Sequence, residues 1–376
     1  MLVSKNQNAH IKRSWLLTFI SLIIIQQTSG CNTHQNPAID LLATATVTAN
    51  SVPAQHINRT QPSWSPTGNE IAFRQITYDA SKTLDSIWKI DITKNACVNL
   101  TPDYEGLNGA PIWSPDGNWI AFTSDHRGNL DVWIMRPDGS SLTNVTLDNP
   151  YADGNPVWSP DNKTIALESA LPDETQFDIR LVNLATKTAI NLTSNSGYSW
   201  KSPTWSPDGK IIAGIAAKGN DDPSGKNLNG IWLINITTQT RQNILQNDKK
   251  YSSVSWSPMQ SNLALATEDL ELQKLNVQNS KLTDLTKTGT RPVWSPNGIN
   301  IAYYLRSGDN IDIGLMNWDG SNQTNLSSSN KGRNEFPSWS HDSNSIVFES
   351  GDNLGLSSDL WIVNSDGENL RKIACK

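Results

Sequence analysis

The chain has 376 residues, with 30 Lys plus Arg against 36 Asp plus Glu, a formal net charge of −6 and a pI near 5.4. That balance excludes the basic face of a nucleic-acid binder. The 18% charged and 36% hydrophobic residues exclude both a highly charged disordered chain and a polytopic membrane protein. Three Cys exclude a disulfide-stapled scaffold, and the unusual count is 15 Trp.

Residues 1–30 read as a signal peptide. Lys5, Lys12 and Arg13 form a positive start, and Trp15 to Ile25 is an apolar run too short for a comfortable span. Thr28-Ser29-Gly30-Cys31 then resembles a bacterial lipobox, with Thr28 where Leu is usual. In that motif the cysteine is lipidated and becomes the new N-terminus, so Cys31 is the expected lipidation site. Residues 31–60 are polar and rich in Asn, Gln, Ala and Thr, as suits a flexible tether. Within them, Ala43 to Val52 could supply one edge strand that stitches a ring.

From residue 61 to 376 the chain is a set of repeats. Trp-Ser recurs at Trp64, Trp113, Trp158, Trp205, Trp256, Trp294 and Trp339, and an aliphatic residue follows seven positions later, from Ile71 to Ile346. The fullest copy runs from Trp113 to Phe122 as Trp-Ser-Pro-Asp-Gly-x-x-Ile-Ala-Phe. A second anchor, clearest at Asp131-Val132-Trp133, leads to a second Asp-Gly turn and a short apolar-Thr segment such as Asn191-Leu192-Thr193. Short β-branched and aromatic runs broken by Asp-Gly are strands joined by hairpins. Four such strands per unit make a sheet that is apolar on both faces and must be covered on both. Radial stacking does this, so the expected fold is an all-β propeller of seven four-stranded antiparallel blades, with six as the alternative. The repeated Trp then packs one blade on the next.

This repeat resembles the WD-like unit of the TolB-type β-propeller family. The resemblance covers residues 60 to 374 and speaks to fold more than function. In the family, TolB is periplasmic and binds an envelope lipoprotein through its propeller. The resemblance therefore implies a protein or peptide partner in the cell envelope. TolB has six blades and a preceding α/β domain, whereas this chain has seven repeats after a short tether.

Loop lengths vary most between the second and third strands of each unit, with Lys218 to Gly230 the longest stretch and Gly351 to Ser358 another. These loops share a rim with those entering each inner strand, and function rides on such loops. The residues before each Trp differ among units: Asp153 and Asn155; Trp200 and Lys201; Tyr251; Arg291; Arg333, Asn334 and Glu335. They are the candidate binding residues of a channel mouth. Their mixture suits a peptide terminus or a polar sugar.

Catalytic patterns are not expected. Of five His, none pairs at zinc spacing, and Gly-x-Ser-x-Gly is absent. Asp125, Asn129 and Asp131 offer oxygen ligands for Ca²⁺. A carboxylate recurs before the second anchor at Asp178, Asp312 and Asp359, however, which favours a structural hydrogen bond. No metal or cofactor is expected, and Cys97 and Cys375 are expected to remain unbonded. The Asn-x-Ser/Thr triplets at Asn99, Asn144, Asn191 and Asn235 belong to the repeat. The expected function is that of a non-catalytic, monomeric envelope lipoprotein, facing the periplasm or cell exterior, whose propeller binds a protein or peptide. The alternative is binding or processing of a carbohydrate or other small ligand at the channel mouth.

Overall fold

The computed structural model describes residues 56–78, 82–147, 150–170, 176–218, 229–352 and 357–375. The signal segment, Cys31 and Ala43 to Val52 lie outside these residues, as do residues 219–228 and 353–356 of the two long loops. Among the described residues every regular element is a β-strand.

Each unit supplies four strands. The second gives Asn108–Trp113, Ile120–Ser124, Asp131–Met135 and Thr143–Asn144, paired antiparallel in that order. The Ser-Pro-Asp-Gly hairpin is held by its own side chains. Ser114 Oγ donates to Asp116 Oδ1 at 2.6 Å and accepts from the Trp119 N–H at 3.0 Å, while Gly117 takes φ +71°. The same pair of bonds recurs at Ser159, Ser206 and Ser340.

Packing between units explains the repeated Trp. The indole Nε1 of Trp113, Trp158, Trp205, Trp294 and Trp339 donates to a carbonyl of the preceding unit: Ser63, Ile112, Val157, Ser255 and Val293 respectively. Seven buried clusters join successive units. One sets Ala121, Val132 and Ile134 against Trp158, Ile165 and Leu167. Ala72, Ala121, Ala166, Ala213, Ala264 and Ala302 are fully buried, as close approach of neighbouring sheets requires. Large and small residues also compensate across strands. Phe73, Phe122 and Phe348 oppose Trp88, Trp133 and Trp361, whereas Gly214 opposes Trp232 and Tyr303 opposes Gly314.

The expected seven separate blades, and the alternative of six, are corrected by the strand pairing. Five units stand as separate four-stranded sheets. The first and last units are hydrogen-bonded into one eight-stranded sheet. The inner strand of the first unit starts at His56, inside the stretch read as tether, and its Asn58 pairs in parallel with Ser358. Arg59 Nη1 adds an ion pair to Asp359 at 2.9 Å, and Thr60 Oγ1 donates to Glu349.

A second correction concerns cysteine. Cys97 and Cys375 form a disulfide, with Cα atoms 5.4 Å apart. The outermost strand of the last unit is only Arg371–Lys372. Beyond it Ile373 N–H still bonds Leu360 O at 2.8 Å, and the chain then runs against the first unit.

Candidate functional site

The site begins with a dipeptide. Gln61-Pro62, Ala110-Pro111, Asn155-Pro156, Ser202-Pro203, Arg291-Pro292 and Phe336-Pro337 occupy the same place in six inner strands. Proline brings no N–H to the ladder and its ring fixes φ, so it sits in a sheet at an edge or bulge. Each of these strands shifts register there, and the residue before each proline adopts φ of +50° to +55°. A bulky L-residue in that region costs about 1–3 kcal/mol. Such strain concentrates where a backbone serves a site, and here it recurs six times around one ring. The fifth unit has Ser253-Val254 instead, with no positive φ at either residue.

The bulge reverses the alternation of side chains. Residues five before the Trp turn into the sheet packing: Asn108, Asp153, Trp200, Tyr251 and Asn334 are all at most 1% exposed. Residues three before it turn inward. Gln61, Ala110, Asn155, Arg291 and Phe336 line a cavity of about 350 Å³ together with prolines 62, 111, 156 and 337 and with Tyr304. Arg291 is the only charged side chain among the lining residues.

One wall is aromatic. The Arg291 guanidinium carbon lies 5.7 Å from the Tyr304 ring centroid, and Tyr304 meets Phe336 edge to face at 6.2 Å. Tyr304 OH accepts the Phe336 N–H at 2.7 Å, and burial pushes its phenol well above the ordinary value. The lining also carries two side-chain amides, Gln61 and Asn155. Gln61 Oε1 accepts the Ala110 N–H at 2.8 Å. Glu168 accepts from Asn155 Nδ2 at 3.0 Å and from Ser202 N–H at 2.7 Å, and its burial raises its pKa despite the charges of Lys201 and Arg291. Near the seam, Glu349 sits directly across from Glu335 on neighbouring strands. Burial first, and the Glu335 charge second, push Glu349 up to about 7.

The structure divides the nine candidate residues. Asn155 and Arg291 come together in the cavity. Lys201 lies within electrostatic range of Glu168, and Arg333 pairs with Glu335 at 2.8 Å. The other four are withdrawn from any mouth. Asp153 accepts from Ser169 and lies 3.8 Å from Arg180. Trp200 packs between the third and fourth units and donates to Ser196 Oγ. Tyr251 OH meets Asn247 and Gln273. Asn334 donates to Asp312 Oδ1 at 3.0 Å. Counting back from Trp with plain strand alternation placed these four on the channel side, and the bulge places them on the other.

Sequence reasoning missed Gln61, Tyr304, Phe336, Glu168 and Glu349. The signal was present: a proline inside six of the seven inner strands announces a bulge, and Glu168, Tyr304 and Glu349 all stand ten residues after the repeat Trp. The recurrent carboxylate before the second anchor is structural, as its register suggested. Asp131 accepts from Asn144 Nδ2 and Thr146 Oγ1, and Asp178 accepts from Asn191 and Thr193 in the same way. Among the described residues no three His, Cys, Asp or Glu side chains gather as a metal site.

A family model described as the TolB beta propeller domain matches residues 32–260. No curated protein matches the chain. Among solved structures the chain is similar to an oligogalacturonate lyase in complex with manganese, at 16% identity, covering 82% of this chain and 86% of that one, with a TM-score of 0.60. It is similar to the β-propeller domain of the Trilobed protease from Pyrococcus furiosus, at 10% identity, 85% and 98% coverage and a TM-score of 0.63. It is also similar to a mutant puromycin hydrolase complexed with PGG, at 14% identity, 85% and 54% coverage and a TM-score of 0.66. At these identities the likeness shows the fold and nothing of the chemistry.

Proposed function

We propose that this chain, which belongs to the TolB beta propeller domain family, is a non-catalytic envelope lipoprotein that binds a protein or peptide partner through its loop-rich face and channel. One observation carries this reading. Five of the six strained X-Pro bulges converge on a cavity whose single charged lining residue is Arg291. A peptide segment entering there meets the side-chain amides of Gln61 and Asn155, apolar proline and aromatic walls, and a cation suited to a carboxylate. The Cys97–Cys375 disulfide supports export to an oxidising compartment, in keeping with a lipid on Cys31 and a position facing the periplasm or cell exterior. The propeller is read as a monomer, held to the membrane by its N-terminal lipid.

The test is capture of partners from solubilised envelope by the full chain, beside Arg291→Ala and Gln61→Ala. A discrete protein retained by the parent and lost from both variants, with folding unchanged, supports the reading. Equal retention by all three sinks it.

A second reading has its own observation. About 350 Å³ is near the lower end of small-ligand sites, and Arg291 beside Tyr304 would equally receive the carboxylate of an acidic sugar. Calorimetric titration with acidic oligosaccharides and with acidic peptides separates the two.

A further inference from the structure

The rim of Asp-Gly turns, opposite the loop-rich face, departs from its own repeat in one place. Three residues after the repeat Trp, six units carry a polar residue such as Asp116 or Asp342, but the fifth carries Met259. Five residues after it, six carry a polar residue such as Asn118 or Asn344, but the sixth carries Ile299. Met259 is 69% exposed and Ile299 54%. The two turns touch, since a Cβ built on Gly298 would lie 2.9 Å from Met259 Cβ. Trp318, also exposed, donates its N–H to Ile299 O at 2.9 Å. Met259 and Ile299 thus stand where the other six units use polar residues, and Trp318 adds an exposed ring at a position that is apolar in several units, as at Ile92, Leu184, Ile236 and Val277.

A lysine lies against the Trp318 ring. Lys274 Nζ lies 4.0 Å from the Trp318 ring centroid, and Lys281 and Asp319 are its charged neighbours.

We infer that this patch rests on a membrane containing anionic lipid, with Met259, Ile299 and Trp318 in the headgroup region and Lys274 and Lys281 against the phosphates. Trp and Lys are the side chains that settle at that boundary, and each cation near an anionic leaflet adds attraction. Three turn tips fall far short of the roughly 800 Å² per partner of a specific protein interface. They suffice as the second of two membrane signals, the arrangement stable anchoring needs. The inference rests on the lipid anchor of the proposed function as the first signal. Residues 32–55, between Cys31 and the first strand, can reach about 80 Å when extended, enough to pass from the bilayer along the propeller to His56. With the turn rim down, the loop-rich face and channel point away from the membrane toward a partner.

The experiment uses the full chain with an environment-sensitive fluorophore on Ser321→Cys, an exposed site in the Trp318 turn. The protein is reconstituted in vesicles of phosphatidylcholine with phosphatidylglycerol, in phosphatidylcholine alone, and in detergent. Sedimentation with vesicles reads the anchor, and emission reads the rim. The expected result is sedimentation in both lipids and a blue shift in the anionic vesicles. Met259→Asp with Ile299→Asn, which restores the residue types of the other units, should abolish the shift while melting stays unchanged. Sedimentation without a shift overturns the membrane contact and leaves the anchor standing. A shift that appears only when envelope proteins are added also overturns it, in favour of a protein partner. Failure to sediment overturns the anchor and the inference together.

Discussion

Trp158→Phe and Trp256→Phe make the same chemical change at the same position of two units, yet their costs should differ. Both residues are more than nine-tenths buried, and both variants lose part of the indole from a cluster between units. That loss is common and cancels in the comparison. Trp158 Nε1 donates to Ile112 O at 3.2 Å, and removing one intramolecular hydrogen bond costs about 1 kcal/mol. Trp256 Nε1 is buried without a partner, so its removal relieves a desolvated donor, which returns about 1–3 kcal/mol. Trp158→Phe should therefore be the more destabilised by about 2 kcal/mol or more. Urea unfolding followed by circular dichroism reads this as a lower midpoint at equal slope. Equal midpoints, or a lower one for Trp256→Phe, would refute the account of the indole bonds that join the units.

Other outcomes follow from single residues. A Cβ on Gly314 would lie 2.4–2.8 Å from three ring carbons of Tyr303, itself 1% exposed. Gly314→Ala should cost about 3 kcal/mol, and Tyr303→Leu in the same chain should return part of it, both read by urea midpoint. Cys97→Ser with Cys375→Ser opens a closed loop of sequence separation 278; chain entropy sets a ceiling of about 5 kcal/mol on the loss, and dithiothreitol should then shift the parent's melting temperature but not the variant's. Glu349, held up to about 7 by burial, binds its proton more tightly in the fold than in the unfolded chain. Stability should therefore fall as pH rises from the usual glutamate range to about 7 and level off above it. In Glu349→Gln melting curves taken from pH 4 to 8, that fall should be smaller than in the parent.

The propeller was legible because its physics repeats. Trp113, Ile120, Ala121 and Asp116 each do the same work in most units, so spacing alone revealed strands, turns and packing between units. The site was half legible, because non-repetition pointed to the right strands but not to the right face. Plain alternation put Trp200 and Tyr251 beside Arg291, and only the bulge in each inner strand, at an X-Pro pair in the fourth unit and between Tyr251 and Ser253 in the fifth, separates them. The merged sheet was not legible, since it rests on one backbone pair, Asn58 with Ser358. Nor was the disulfide, which depends on how Ile373, Ala374 and Cys375 leave a two-residue strand.

The central claim is that the partner enters the channel. A photoreactive phenylalanine analogue in place of Phe336 places a crosslinker in the cavity wall, and the same analogue in place of His341, exposed on the turn rim, is the control. Irradiation of the full chain in native envelope membranes should give one discrete protein adduct from position 336 and none from position 341. No adduct at 336, or the same adducts from both positions, would contradict the account.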